Sequence, residues 1–288
     1  MCVDLHTHSI YSDGSHTPAE LVALAVDNGL RGLALTDHDT IEGVAEIARL
    51  GAQAGIEIVS GVEISTSIQG RTIHILGYGI NAADTDLQQW LQPLQEGRAR
   101  RNTVILEKLR GLGVAITAEE VRHISCCGQT GRPHIARLLV EKRVVDSFDA
   151  AFRQYLGRNR PAWESRFSYT AAATIDMIHR AGGLAVLANP GQLDPEMRLQ
   201  SSLIRELALR GLDGLELYYP THTRKMKKKL KAIAMEHGLL LTGGSDFHGT
   251  TRPAHRLASF AEGFCPPCTM LETLLTRLGQ VSRSPLPC

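Results

Sequence analysis

Two histidines stand two residues apart near the start of the chain, in "DLHTHS", where His6 and His8 follow Asp4. In an extended strand, side chains at i and i+2 point the same way, so both imidazoles project from one face. That is either coincidence or half of a metal site. The same residue types recur downstream: Asp13 in "YSDG", Asp37 and His38 in "TDHDT", Glu63 in "GVEIS", His74 in "HILGY", and Asp246 and His248 in "GGSDFHG". Taken singly, each has an ordinary reading. A lone strand histidine is usually a surface or satisfied core residue, and "TDHD" suits a turn that caps a helix. Together they form a set of imidazoles and carboxylates without thiolates, the ligand chemistry of zinc, manganese or iron. The two oxygens of Glu63 allow it to bridge two cations. Burying so many such groups without a cation would be costly.

The elements that must position these residues alternate between short Val/Ile/Leu-rich runs and helical patterns, as in an α/β domain. Strands are predicted at "CVDLH", "GLALTD", "IEIVSGVEIS", "TIHILGY", "GLAVLA", "GLELYY" and "LLLTGGSD". The helix in "TPAELVALAVDNG" opens with Thr17 as N-cap and Pro18 at its first position, and stops at Gly29. His6 and His8, Asp37 and His38, Glu63, Asn189 of "ANPG", and Asp246 with His248 fall at or just beyond strand C-termini, and His74 falls within the fourth strand. In parallel α/β barrels the active site is built at that end, so the pattern predicts a barrel with one site. Residues 97–165 contain helical segments and no convincing strand. They read as a helical insertion overhanging a barrel formed by 1–96 and 166–288, and they carry Arg98, Arg100, Arg101, Arg132 and His134.

The chain has 288 residues, 43% of them apolar and 21% charged, which allows a real core. A formal charge of +1 announces no nucleic-acid or membrane partner, so any anion site must be local. No apolar run is long enough to span a bilayer, and "MCVDLHTHS" lacks signal-peptide character, so a cytoplasmic protein is expected. Cys2, Cys126, Cys127, Cys265, Cys268 and Cys288 do not resemble a disulfide framework, and "CPPC" reads as a loop before the last helix. The basic run "RKMKKKLKAIAMEHG" reads as a solvated helix face. His222, beyond the sixth strand, is as suited to the surface as to substrate. His16, His123, His179, His237 and His255 are expected to be structural or exposed.

In order and spacing, "DLHTHSIYSDG", "TDHDT", "GVEIS", "HILGY" and "GGSDFHG" resemble the motifs of the PHP superfamily, the polymerase and histidinol phosphatase metal-dependent phosphoesterases. The insertion with "ARRN" and "GRPHIA" resembles the branch of nucleoside 3',5'-bisphosphate phosphatases, whose relatives also trim short RNA from the 5' end. The resemblance implies an α/β fold, a distorted (β/α)7 barrel, with two or three divalent metals per chain, manganese first and iron or zinc as alternatives. It implies that His6, His8, Glu63 and Asp246 hold one metal, Glu63 and His74 a second, and Asp13, His38 and His248 a third. Many family members have a histidine where this chain has Asn189, a weaker ligand for the second metal. The implied chemistry is attack by a metal-bound hydroxide on the 3'-phosphate of a nucleoside 3',5'-bisphosphate, releasing phosphate and a nucleoside 5'-monophosphate. Arg100, Arg101, Asn102, Arg132 and His134 would bind the second phosphate, with His134 also the candidate proton donor. The alternatives are a 5'-3' exoribonuclease acting on short RNA, a histidinol phosphatase, and a non-catalytic metal-binding module, against which the nearly complete ligand set weighs. No obligatory protein partner is expected.

Overall fold

The computed structural model describes residues 1–125, 129–252 and 254–281. Among these residues, one sheet contains β1 (Cys2–Thr7), β2 (Leu30–Leu35), β3 (Glu57–Ile68), β4 (Arg71–Tyr78), β5 (Tyr169–Thr170), β6 (Leu184–Leu187), β7 (Gly214–Tyr218) and β8 (Leu240–Gly243). The helices that bear on the argument are α1 (Pro18–Asp27), α2 (Thr85–Gly111), α3 (Arg132–Glu141), α4 (Phe148–Ala151), α5 (Ala171–Arg180), α6 (Arg224–His237) and α7 (Thr269–Val281). α1 forms where its caps direct it. The Thr17 and Glu20 side chains reciprocally cap each other's backbone N–H, Pro18 opens the first turn, and Gly29 follows at φ 64°.

The ladder runs β1-β2-β3-β4-β6-β7-β8, with β5 beside β3. β1, β2 and β3 pair in parallel, as do β6, β7 and β8, but β4 is antiparallel to both β3 and β6. A two-residue turn at Gln69 (φ 50°) and Gly70 (φ 70°) makes β3 and β4 a hairpin. This corrects the expectation of a parallel barrel with Glu63 at a strand end, since β3 runs on past Glu63 to Ile68. His74 lies in the first half of β4, opposite Ser65 of β3, and an antiparallel strand brings its first half to the end where its parallel neighbours finish. The ladder records eight strands, with no pairing between β8 and β1 among the described residues. The fold is mixed α/β, and β1 and His8 meet the chain after β8 through backbone bonds from His8 N–H to Phe247 O, Asp246 N–H to His6 O and Val3 N–H to Pro266 O, each 2.9 Å. Gly244 makes that approach feasible, because a Cβ there would lie 2.3 Å from the His6 Cβ.

The main core packs the sheet against α5 and its neighbours. A separate cluster, Ile105 to Ala162, forms the interior of the helical segment. No described strand interrupts residues 79–168, but α2 runs unbroken from Thr85, so the expected division at residue 97 falls inside a helix. Cys2 and Cys265 are disulfide-bonded across 263 residues, with Cα atoms 4.9 Å apart, a single crosslink that the cysteine spacing did not suggest. Cys265 and Cys268 lie in the loop before α7 and are not bonded to each other. Cys126, Cys127 and Cys288 lie outside the described residues. No helix among the described residues is long and apolar enough to cross a membrane.

Candidate metal centre and anion pocket

β1 carries Asp4 and His6 to the same side, and His8 follows directly; all three are fully buried. Asp4 accepts from the backbone N–H groups of His6, Ser245 and Ala258, and so ties the end of β1 to the segment after β8. Gly14 lets the "YSDG" turn fold back on His8, since a Cβ there would meet His8 O at 2.3 Å. Asp13 is thereby delivered beside the histidines.

Three groups of candidate ligands result: His6, His8, Glu63 and Asp246; His8, Asp13, His38 and His248; and His38, Glu63 and His74. Glu63 is common to the first and third. Its Oε2 lies 3.4 Å from His6 Nε2, 3.3 Å from His8 Nε2 and 2.9 Å from His38 Nδ1, and its Oε1 lies 2.9 Å from His74 Nδ1. Asp246 Oδ1 is 3.2 Å from His8 Nε2, and Asp13 Oδ1 is 3.3 Å from His248 Nε2. His6 Nε2, both ring nitrogens of His8, His38 Nδ1 and Glu63 Oε2 are buried without a hydrogen-bond partner. Such atoms need partners, and divalent cations held by these groups would supply them. The residues present fit metal binding.

The electrostatics agree. Burial opposes ionisation of Glu63, but His38, His74 and His6 override it and hold the carboxyl well below its usual range. Burial likewise opposes ionisation of Asp246 and Asp13, and it is overcome by Arg252 and His248 for the first and by His38 and His248 for the second. His8 is pushed down to about 3, chiefly by burial and then by His248, so its ring is neutral and ready to ligate. Burial pushes His6 down too, but Glu216, Glu63 and Asp246 more than reverse it.

Buried partners aim the ligands. Glu216 Oε1 lies 3.1 Å from His6 Nδ1, and its Oε2 accepts from Asn189 N–H at 2.8 Å. A proton on Nδ1 leaves the His6 Nε2 lone pair facing Glu63 and Asp246. His248 Nδ1 makes the equivalent bond to Asp246 O at 2.8 Å. Tyr219 Oη donates to Asp246 Oδ2 at 2.7 Å, and Arg252 also bonds that oxygen. Asp39, Asn189 and Asp246 adopt positive φ of 56°, 35° and 54°, so backbone strain gathers where β2, β6 and β8 end.

A pocket of about 130 Å³ opens beside the cluster, lined by Asp13, His38, His74 and His248 and by five arginines, Arg98, Arg101, Arg132, Arg166 and Arg252. Asp39 bonds Arg98 at 2.7 Å and Arg166 at 3.2 Å. Arg101 has no carboxylate partner among the described residues; its guanidinium donates to Asn102 Oδ1. Burial, then Arg166, Arg98 and Arg132, depress the Arg101 pKa well below the ordinary value. Arg166 is lowered to about 10 by burial and by Arg98. Positive charge is crowded here beyond what Asp39 neutralises.

The PHP domain family matches residues 4–153. The chain belongs to the PHP family. A 3',5'-nucleoside bisphosphate phosphatase of Chromobacterium violaceum is 36% identical over 247 residues, covering 85% of this chain and 87% of that one. A 5'-3' exoribonuclease of Haemophilus influenzae is 35% identical over 245 residues, covering 85% and 89%. A crystal structure from Bifidobacterium adolescentis, described as a metal-dependent phosphoesterase, superposes with TM-score 0.87 at 28% identity, covering 96% of each chain. PHP membership supports a hydrolase acting on phosphoester bonds, with a metal-binding site of His, Asp and Glu.

Against that PHP frame, the structure gathers His6, His8, Asp13, His38, Glu63, His74, Asp246 and His248 in one place. His38 is shared between two groups, whereas the sequence assigned it to one. Asn189 is half-buried, and its backbone rather than its side chain makes the bond to Glu216. Among the expected anion binders, Arg101 and Arg132 line the pocket. Arg100 does not: its side chain is 79% exposed and pairs with Glu96. Asn102 is buried behind Arg101 and donates to Thr130 O and Oγ1. His134 is 2% exposed and its Nδ1 accepts Gly131 N–H at the start of α3. His222 is a structural residue, with Nδ1 bonded to Leu217 O and Nε2 accepting Gly191 N–H.

Arg166, Glu216 and Tyr219 went unassigned from sequence. Arg98 and Arg101 had a readable signal. On α2 the buried positions Leu87, Leu91, Leu94, Arg98, Arg101 and Ile105 recur at steps of four and three, so the two arginines continue the apolar stripe, whereas Arg100 is about 200° around the helix from Arg98.

Proposed function

We propose that this PHP protein hydrolyses the 3'-phosphate of nucleoside 3',5'-bisphosphates to nucleoside 5'-monophosphate and phosphate. The observation that carries this reading is the pocket in which five guanidinium groups, two paired by Asp39 and a third by Asp246, share one space with candidate metal ligands. A cluster able to hold cations accounts for one phosphate, and the unneutralised arginines ask for a second anion a short distance away. Histidinol phosphate, with one phosphate, would leave that charge uncompensated.

Divalent cations bound by the three ligand groups would lower the pKa of water and neutralise phosphoryl charge. The chain's own residues do the positioning. Glu63 joins two groups of ligands, Glu216 fixes the tautomer of His6, and Arg101, backed by Asn102, turns its donors toward the pocket. Water is the attacking group on this reading, because the nearby hydroxyls of Ser9 and Ser12 are already committed to Asp37 at 2.6 and 2.5 Å. Hydrolysis in ¹⁸O-water should therefore label the released phosphate and leave the nucleoside unlabelled.

A second reading, exoribonuclease action on short RNA, is favoured by the near-equal likeness to the exoribonuclease relative. One assay separates the two. Phosphate and nucleotide release are measured with Mn²⁺ from a nucleoside 3',5'-bisphosphate, the matching 3'- and 5'-monophosphates, histidinol phosphate and a 5'-phosphorylated dinucleotide. The proposal expects the bisphosphate to exceed the monophosphates by ten- to a hundredfold in kcat/KM, about the worth of one charge-assisted contact. Equal rates on mono- and bisphosphates would overturn it.

A further inference from the structure

A second cavity, about 530 Å³, adjoins the anion pocket and shares Pro133, Phe152, Thr251 and Arg252 with it. Its size falls in the range of about 300–1,000 Å³ typical of small-molecule sites. Its chemistry is unlike that of its neighbour. Phe148 and Phe152 form an aromatic wall, their ring centroids 5.2 Å apart and tilted by 43°. Both pack against the separate core of the helical segment, which holds them in place from behind. Phe152 opens a π-helical turn, Phe152–Leu156, an irregularity common at functional sites. The Arg132 guanidinium sits 5.7 Å above the Phe152 ring, so one side chain joins the arginine pocket to the aromatic wall.

The charge pattern divides a bound molecule between the two cavities. The only arginine lining the second is Arg252, whose guanidinium is already bonded to Asp246, while the Asp149 carboxylate stands in its wall. Those surroundings repel a further phosphate and accept an uncharged flat group. One polar group in the wall retains capacity, since Gln192 donates to Tyr219 Oη and keeps its carbonyl oxygen, while His255 lines the cavity with its Nδ1 3.9 Å from Asp246 Oδ2. His255, expected from sequence to be structural or exposed, therefore lies within reach of this space.

We propose that the Phe148–Phe152 cavity is the nucleobase subsite, which holds the base by stacking while the phosphates lie over the arginines and the metal ligands. The inference rests on the nucleotide reading above and specifies how the base is held. Stacking uses the π-face that every base has, so purines and pyrimidines are both accepted, and the larger purines bind more tightly.

The test is binding of 2-aminopurine riboside 5'-monophosphate to the whole protein as purified, read by fluorescence quenching. Ribose 5-phosphate serves as a base-free competitor. Wild type should quench the fluorophore, and Phe148→Ala should raise its Kd by about five- to a hundredfold while the affinity for ribose 5-phosphate stays unchanged. Phe148→Leu, which keeps apolar bulk without the π-face, should lose quenching and fold normally by circular dichroism. Absence of quenching on binding, or an equal loss of both ligands in Phe148→Ala, would overturn the subsite. If quenching appears as expected but phosphate release shows no preference for bisphosphates, the subsite stands and the two-phosphate reading falls.

Discussion

The division of labour between arginines is sharpest at Arg100 and Arg101, neighbours in sequence with opposite fates. Arg101 is 5% exposed in the anion pocket, while Arg100 lies on the outer face with Glu96. Arg101→Ala is expected to reduce kcat/KM on a substrate with a second phosphate by about ten- to a hundredfold, and to leave a singly phosphorylated substrate nearly unchanged. Arg100→Ala should change either by less than about twofold, since exposed pairs contribute little. Steady-state kinetics on both substrates checks this. Arg98→Ala is a poorer test, because it strips Asp39 of its closer guanidinium and damages the fold. Glu216 permits a test that does not require turnover. Its carboxylate orients His6, so Glu216→Ala should weaken metal binding about ten- to a hundredfold, measured as metal content after dialysis against graded chelator. Undiminished affinity would show that His6 needs no such support.

Elements contribute by bringing distant side chains to one end of the sheet. The β3–β4 hairpin places His74 and Glu63 within 2.9 Å although β4 runs against its neighbours. On the other side, the end of α5 is tied to the approach to β7 by His179 Nε2 and Asp213 Oδ2 at 2.7 Å. The bond to Asp213 outweighs partial burial and raises the His179 pKa above its ordinary value of 6.5. A raised folded-state pKa means that the contribution is fully present below about pH 6.5 and is lost as pH rises through the folded value. His179→Gln should therefore destabilise the protein at pH 6 and much less at pH 9. The expected difference is a few tenths to about 1 kcal/mol, because the ring is more than a third exposed. Urea denaturation at the two pH values measures it, and a loss that grows with pH would contradict the assignment.

For the molecule as a whole, Cys2 and Cys265 join the first strand to the loop before α7, close to where β1 meets the segment following β8. The crosslink stands next to the bond from Val3 N–H to Pro266 O at 2.9 Å and adds to the backbone bonds that hold this edge. A disulfide closing so long a loop is worth roughly 2–5 kcal/mol. Reduction should lower Tm by roughly 5–10 °C, and Cys265→Ser should remove that sensitivity to reductant. A Tm that does not respond to reductant would mean that the two thiols remain unpaired in solution.

The candidate metal ligands stand out in the sequence because short motifs carry their own geometry. Alternation in a strand sets His6 and His8 side by side, and "TDHD" and "SDFH" each sit where a strand gives way to a turn, whereas "GVE" lies inside β3. Helical periodicity could also have separated Arg98 and Arg101 from Arg100, since all three lie on one regular element. Other features were out of reach. Arg166 arrives from a segment without a motif, Glu216 reads as an ordinary strand residue, and Cys2 finds its partner 263 residues away. His255 and the Phe148–Phe152 wall meet at a second cavity only because the helical segment folds down over the site. Local backbone rules reach across a few residues, and so they determined which groups face together within a motif. Which motifs, helices and lone side chains share a pocket depends on how the sheet closes and how its insertion packs, and only the tertiary structure decided that.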